Sequence, residues 1–260
     1  MWELEIEEMK KAALLAEKKI LEVYASSFDV ELKEDDSPVT EADKAADRMI
    51  REYLHEKFPS YSFLTEESAD TKERLTAEWV FIVDPVDGTT EFVKKNGGFS
   101  TNIALCHKNE IVASVINIPV RKKLYFASKG NGAFRQEEGK TPERIHCSSR
   151  INKNLRVVGS INWYTDKEKA VVERNKDRIE SLAHCSASSK FCLIAEGSAD
   201  VAIRYAQGTK EWDTAAGDIL LSEAGGYLLK PDLTKFSYNK EDVYNHEGYI
   251  VLNDLKNVLK

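Results

Sequence analysis

Apolar and polar positions follow different rhythms in different parts of the chain. Residues 2–25 place apolar side chains every three or four positions among charges, the period of an amphipathic helix. Residues 41–57 do the same, with Met49, Ile50, Tyr53 and Leu54 on one face. The acidic stretch "DVELKEDDSP" between them reads as a connector. A β-rich block follows, in "YSFLTEE", "WVFIVDP", "FSTNIALCHKNEIVASVINIP" and "KKLYFASKGNGAFR". Hairpins are predicted around Lys108-Asn109-Glu110 and at "KGNG", so this half predicts an antiparallel sheet flanked by helices.

The rhythm changes after "EEGKTPERIHCSSRINKN". A strand "LRVVGS", helices over 166–182 and 188–197, a strand "ADVAIRY", a helix over 213–224 and a strand "GGYLLK" predict a smaller α/β half. The fold class is α/β, in the layered α+β sense of sheets sandwiched by helices. Residues 1–150 form the expected N-terminal subdomain and 151–260 the smaller C-terminal one.

At 260 residues and 42% hydrophobic the chain has ordinary globular composition. A chain of this length buries roughly 70–75% of its unfolded surface, enough for a large core. A net charge of −7 argues against a nucleic acid polymer or an anionic membrane as the main partner. A small anionic substrate stays open, because bound cations reverse the field inside one cleft. The N-terminal helix is too charged for a signal peptide, and no segment approaches 18 apolar residues, so the expected compartment is the cytoplasm. Four scattered cysteines without a C-x-x-C pair read as reduced thiols in the core.

Carboxylates gather at the ends of predicted elements. "FLTEES" puts Glu66 and Glu67 just after a strand, and "IVDPVDGTT" puts Asp84 and Asp87 at the end of the next. "KEWDTAAGD" sets Asp213 at a helix start, and "PVTEADKAAD" sets Asp43 in a first turn. Each has a plainer reading: Thr40-x-x-Asp43 as a capping box, Asp213 as an N-cap, Asp87-Gly88 as a turn, the glutamates as a solvated loop. The strand-end pair resists it best. Pro85 stiffens the chain between Asp84 and Asp87, and both carboxylates with the Val86 carbonyl can face one point. Four or five oxygens without Cys or His suit Mg²⁺ rather than Zn²⁺. The Gly88 and Thr89 N–H groups supply an anion nest.

In their order along nearly the whole chain, "VTEAD", "FLTEES", "VDPVDGTTEF" and "WDTAAGDILLSEAGG" resemble the inositol monophosphatase superfamily of Mg²⁺-dependent, Li⁺-sensitive phosphatases. The resemblance implies an αβαβα sandwich. It also implies two or three Mg²⁺ ions held by Glu66, Asp84, the Val86 carbonyl, Asp87 and Asp213, with Asp43 and Thr89 orienting or activating the water nucleophile. Within the superfamily, "EFVKKNGGFSTNIAL" and "SSKFCLIAEGSAD" look most like bacterial 3′(2′),5′-bisphosphate nucleotidases, which remove the 3′-phosphate of 3′-phosphoadenosine 5′-phosphate. By that likeness Gly88, Thr89, Thr90, Ser188 and Lys190 contact the substrate, with Lys190 helping to hold the nucleotide phosphate. Sulfur assimilation is the implied setting, and the likeness allows a homodimer and a peripheral association with the inner membrane.

Three features depart from the nucleotidase or inositol phosphatase patterns. Thr90 stands where the nucleotidases often carry lysine, Ser186-Ala187 replaces a Gly-Ser pair, and Ala206 replaces the acid that binds the inositol ring. An inositol or sugar phosphate is therefore the alternative substrate. A silent metal- or nucleotide-binding sensor is the alternative class, although it would not need Asp43 and Thr89. Serine and cysteine hydrolase chemistry is poorly supported: there is no G-x-S-x-G, and the five histidines lie outside the carboxylate motifs.

Overall fold

The computed structural model describes residues 2–33, 37–162, 164–186 and 188–260. Helix α1 (Glu3–Ala25) leads into a small hairpin, β1 (Val30–Leu32) and β2 (Pro38–Thr40), and then α2 (Glu41–Lys57). Next come β3 (Ser62–Thr65), β4 (Trp79–Asp87), α3 (Thr89–Val93), β5 (Ser100–His107), β6 (Glu110–Ile118), β7 (Lys123–Ser128), β8 (Gly132–Glu137) and β9 (Glu143–Ile145). The remainder holds β10 (Leu155–Ser160), α4 (Asp166–Arg174), β11 (Ile179–Cys185), α5 (Ser189–Ala195), β12 (Val201–Arg204) and β13 (Thr209–Lys210). It ends with α6 (Glu211–Ala224), β14 (Tyr227–Leu229), β15 (Tyr244–Asn245) and β16 (Tyr249–Leu252).

Strands β3 to β9 form a seven-stranded sheet in sequence order, with only the β3–β4 pair parallel. The second sheet has five strands in the order β11-β10-β12-β16-β14. Side chains alternate across both faces of the large sheet. Phe81, Val83, Ile103 and Leu105 pack under α1 and α2, while Val80, Ile82, Ala104 and Cys106 face α5 and α6. Burial on both faces is why β4 reads as a continuous apolar run rather than an alternating one. Val158, Ala202 and Val251 of the small sheet close the α5–α6 layer from the other side, and Val157, Val201 and Ile203 pack outward against Val171 of α4. Helices and sheets therefore stack as αβαβα.

Both predicted hairpins form, His107 pairing with Glu110 and Ser128 with Gly132. The four cysteines are free. Among the described residues no helix is long and apolar enough to cross a membrane. Several elements depart from expectation, among them the β1–β2 hairpin, which falls where a connector was expected. The helix predicted over 166–182 stops at Arg174, and residues 179–185 form a strand. Strand β11 is an edge whose Ser181, Leu182, Ala183 and His184 are exposed, so no hydrophobic pattern marks it, and backbone pairing to β10 decides its state. Strand β16, central and fully buried, completes the small sheet although the periodicity analysis assigned it no element.

Candidate active site

The spacing of Asp84 and Asp87 poses a geometric problem, because residues three apart on a regular strand point to opposite faces. A β-bulge solves it. Asp84 pairs with Asn102 and Asp87 with Ser100, leaving Pro85 and Val86 opposite Thr101 alone. Proline suits a bulge, where its missing N–H loses no ladder bond, and the Pro85 carbonyl accepts from Thr101 Oγ1 at 2.8 Å. The extra residue turns both aspartates to one side. Helix α6 brings a third carboxylate, and oxygens of Asp84, Asp87 and Asp213 lie within 4.8 Å of one another. Asp213 is not an N-cap, as its sequence position suggested. It sits in the first turn of α6, where its Oδ2 accepts the Lys210 N–H at 2.5 Å.

Glu66 arrives through the parallel β3–β4 pair. Thr65 lies opposite Val83, so the next residues on both strands, Glu66 and Asp84, leave the sheet side by side. Both line one cleft of about 380 Å³ with Val86, Asp87, Gly88, Thr89, Thr90, Lys190 and Asp213. Glu66 stands outside the three-carboxylate cluster because Lys33, from the β1–β2 hairpin, bonds it at 2.8 Å and Glu67 at 2.5 Å. The sequence offered no sign of this lysine beyond its place in an acidic connector.

Asp43 is buried behind the cleft wall, where it does two jobs. Its Oδ2 accepts from the Thr40 N–H at 2.8 Å and the Thr40 hydroxyl at 2.6 Å, the capping arrangement of α2. Its Oδ1 accepts from Thr89 Oγ1 at 2.8 Å, shorter than the 3.1 Å from that hydroxyl to the Val86 carbonyl. Gly88 sets up this contact: its φ of 97° lies in the left-handed region and turns the chain sharply from β4 into α3.

Ser188, expected at the substrate, is instead buried beside Asp87. Its N–H and hydroxyl both reach Asp87 Oδ2, at 2.8 and 2.7 Å, and Asn102 Nδ2 donates to the same oxygen at 3.1 Å. These three donors fix the Asp87 rotamer. Lys190 is 1% exposed, lines the cleft, and makes no hydrogen bond or ion pair with any described residue. Ala187 lies outside the described residues. Glu91, Ser160, Asn162 and Arg204 also line the cleft and were not singled out by their sequence context, and Ser186, marked in the sequence only as a departure from the nucleotidase pattern, lines it too. Ala206, at the ring-acid position, does not, and the nearby cleft residue is the cation Arg204.

Electrostatics make the cluster incomplete as it stands. Burial, then the charges of Glu66, Asp87, Asp213 and Asp43, push Asp84 well above the usual carboxylate range. Burial, then Asp87 and Glu66, push Asp213 up to about 7. Burial also raises Asp43, against the bonds from Thr40 and Thr89 that favour its charged form. Asp84 Oδ1 is buried with no hydrogen-bond partner among the described residues. An all-oxygen, anionic donor set with an orphaned oxygen fits a hard divalent cation, which would hold every carboxylate ionised.

The sequence pattern of the inositol monophosphatase family matches residues 3–257. The 3′(2′),5′-bisphosphate nucleotidase CysQ of Salmonella typhimurium is 34% identical over 250 residues, covering 95% of this chain and 98% of its own. The protein of that name from Haemophilus influenzae is 30% identical over 239 residues, covering 91% and 88%. The crystal structure of CysQ from Bacteroides thetaiotaomicron, 34% identical, superposes with a TM-score of 0.83 over 97% of this chain and 98% of that one. A Thermotoga maritima IMPase, 26% identical, gives 0.79 over 97% and 92%. Likeness that runs from end to end in both sequence and fold leaves one conclusion: the chain belongs to the inositol monophosphatase family and is a phosphatase that hydrolyses phosphate monoesters.

Proposed function

We propose that the protein is a Mg²⁺-dependent 3′(2′),5′-bisphosphate nucleotidase that converts 3′-phosphoadenosine 5′-phosphate to AMP and phosphate, with a role in sulfur assimilation. The observation that carries this reading is Lys190, a side chain only 1% exposed that lines the cleft and has no counterion among the described residues. A buried charge without a partner is strongly unfavourable, so a second anionic group on the substrate is its natural complement. The 30–34% identity to proteins named CysQ supports the same substrate.

Glu66, Asp84, the Val86 carbonyl, Asp87 and Asp213 would hold Mg²⁺, with Lys33 giving up Glu66 when the cation binds. Bound there, Mg²⁺ would neutralise phosphoryl oxygens and acidify water. Thr89 Oγ1 orients a water in line with the departing 3′-oxygen. As that water attacks phosphorus and the bond from phosphorus to the 3′-oxygen breaks, its proton passes to the threonine oxygen, which hands its own to Asp43 Oδ1, and the departing 3′-oxygen takes a proton from solvent water to leave as a hydroxyl. Burial makes Asp43 a stronger base than a solvated aspartate, as proton transfer requires. The Gly88 and Thr89 amides face the phosphoryl oxygens, and Thr90 flanks them. Residues 1–150 and 151–260 act as two subdomains with the cleft between them.

Thr90 favours a second reading, the same chemistry on an inositol or sugar phosphate, since nucleotidases of this family often carry lysine there. Side-by-side rates on 3′-phosphoadenosine 5′-phosphate, inositol 1-phosphate and fructose 1,6-bisphosphate separate the two. The nucleotide is expected to give the highest kcat/KM, with Li⁺ inhibiting and excess chelator abolishing turnover. Faster hydrolysis of inositol 1-phosphate would hand the case to the second reading.

A further inference from the structure

Glu66 leaves β3 into a loop that ends in a 3₁₀ turn at Glu73–Thr76, and Asp213 sits in the first turn of α6. A third segment, residues 238–243, is bonded to both. On one side Glu211, the fully buried first residue of α6, accepts the Asn239 N–H at 2.6 Å and the Lys240 N–H at 2.8 Å. Its own N–H donates to the Val243 carbonyl at 2.9 Å. On the other side Arg74 Nη1 donates to Asn239 Oδ1 at 2.8 Å and to the Lys240 carbonyl at 3.0 Å. The Asn239 amide returns a bond to the Arg74 carbonyl at 2.9 Å, and Lys72 Nζ reaches the Glu241 carbonyl at 3.0 Å. Nearer Glu66, the loop is pinned by Ser68 Oγ, which donates to Asp47 of α2 at 2.6 Å.

Arg74 is 1% exposed, and its remaining bonds form a fork on Asp70 at 3.0 and 2.7 Å. For stability alone, packed apolar side chains serve as well as a buried charge or better. A polar strap adds direction, because hydrogen bonds are fixed in length and angle. Asn239 holds a left-handed φ of 56°, which asparagine tolerates better than most residues. In that conformation its side chain meets Arg74 while its N–H meets Glu211.

We propose that Arg74, Asn239 and Glu211 form a positioning strap that sets the Asp213 helix against the Glu66 loop and so tunes the affinity of the cation site. They are positioning residues that act through the two carboxylates. The assignment rests on the Mg²⁺ site of the reading above. Mg²⁺ requires near-ideal octahedral geometry at about 2.0–2.1 Å, so a small shift of one ligand-bearing segment is felt as lost affinity.

The test measures Mg²⁺ binding to the substrate-free enzyme by calorimetry, beside steady-state kinetics and thermal unfolding, in wild type, Arg74→Gln, Asn239→Gly and Asn175→Ala. Arg74→Gln removes a positive charge, which by itself favours a cation, so a fall in Mg²⁺ affinity reports lost geometry rather than lost charge. Asn239→Gly keeps the left-handed backbone and its bonds to Glu211 and removes the link to Arg74. Both are expected to weaken Mg²⁺ binding by roughly tenfold or more, the scale of groups that support metal ligands, and to leave KM for the bisphosphate at saturating Mg²⁺ unchanged. Asn175→Ala removes a similarly buried asparagine that ties the end of α4 to the Lys260 carbonyl at 2.7 Å. It is expected to lower Tm and leave Mg²⁺ affinity at the wild-type value. Asn239→Gly decides the matter if Arg74→Gln does not fold. Wild-type Mg²⁺ affinity in Asn239→Gly, or a loss that Asn175→Ala matches, would overturn the strap and leave the Mg²⁺ reading intact. A wild type that binds no Mg²⁺ would overturn both together.

Discussion

Thr89 and Asp84 lie five residues apart in sequence on the two sides of one turn, yet their chemistry should separate cleanly. Asp84 offers a buried carboxylate oxygen with no partner among the described residues, so Asp84→Asn is expected to lose Mg²⁺ affinity and rate together. Thr89 bonds Asp43 rather than the carboxylate cluster, so Thr89→Ala should keep metal binding and lower kcat by about 10²-fold or more, the scale of a positioned proton-transfer group. Titrating Mg²⁺ by calorimetry beside steady-state kinetics checks both; equal loss of metal affinity in the two variants would contradict this division. Lys190→Ala is expected to raise KM for the bisphosphate roughly tenfold or more, and to leave inositol 1-phosphate turnover, if measurable, almost unchanged. At this scale the sequence was most readable where a residue's role is local. Thr40 and Asp43 read as a capping box, and that is what they form. Ser188 was misread because its partner, Asp87, lies 101 residues away.

Among the elements, α6 carries the largest burden, delivering Asp213 from its first turn while its body packs between the two sheets. Gly217 lets it approach α5: a Cβ there would lie 2.4 Å from the Phe191 ring. Overpacking costs typically about 1–3 kcal/mol, against a helix-propensity gain of about 1 kcal/mol for alanine over glycine. With a fully buried ring in the way, Gly217→Ala should be net destabilising by about 1–2 kcal/mol in urea unfolding. Adding Phe191→Leu should recover part of the loss; an unchanged or higher midpoint in the single variant would show that the ring moves freely. Helix α2 was legible to the residue because capping and periodicity agree, and the strands buried on both faces were legible as apolar runs, though not at their ends. Strand β11 was not, since an exposed edge strand carries no periodic signal and its pairing partner lies about twenty-five residues upstream.

For the molecule as a whole, the clustered carboxylates tie stability to pH and to metal. Asp84 is raised well above its ordinary value and Asp213 to about 7, so without metal the folded state holds protons that the unfolded chain has already released. Where the native state binds more protons than the unfolded one, the free energy of unfolding falls as pH rises. For these groups the contribution is fully present below about pH 4 and is lost as pH climbs toward 7 and beyond. Other groups titrate over the same range, so the cleanest readout is the difference between metal-free wild type and Asp213→Asn, with the wild type losing more Tm from pH 5 to 8. On the proposed function Mg²⁺ would bind the ionised carboxylates and only in the folded state, so it should raise Tm more at pH 8 than at pH 5. A larger Mg²⁺ effect at pH 5 would mean that these carboxylates are not the binding site.

The sequence by itself determined the extents of α1, to within a residue, and of α2, the antiparallel sheet flanked by helices, both hairpins and the oxygen-only character of the donor set. These follow from local pattern, turn chemistry and residue type, which need no knowledge of distant neighbours. Tertiary structure alone decided that the bulge at Pro85-Val86 turns Asp84 and Asp87 to one side, that Lys33 folds onto Glu66, and that Ser188 braces Asp87. It also decided that Ser160 and Arg204 end neighbouring parallel strands at the cleft. Each of these contacts joins residues whose proximity is set by sheet register and layer stacking, so no local pattern in the chain could carry it.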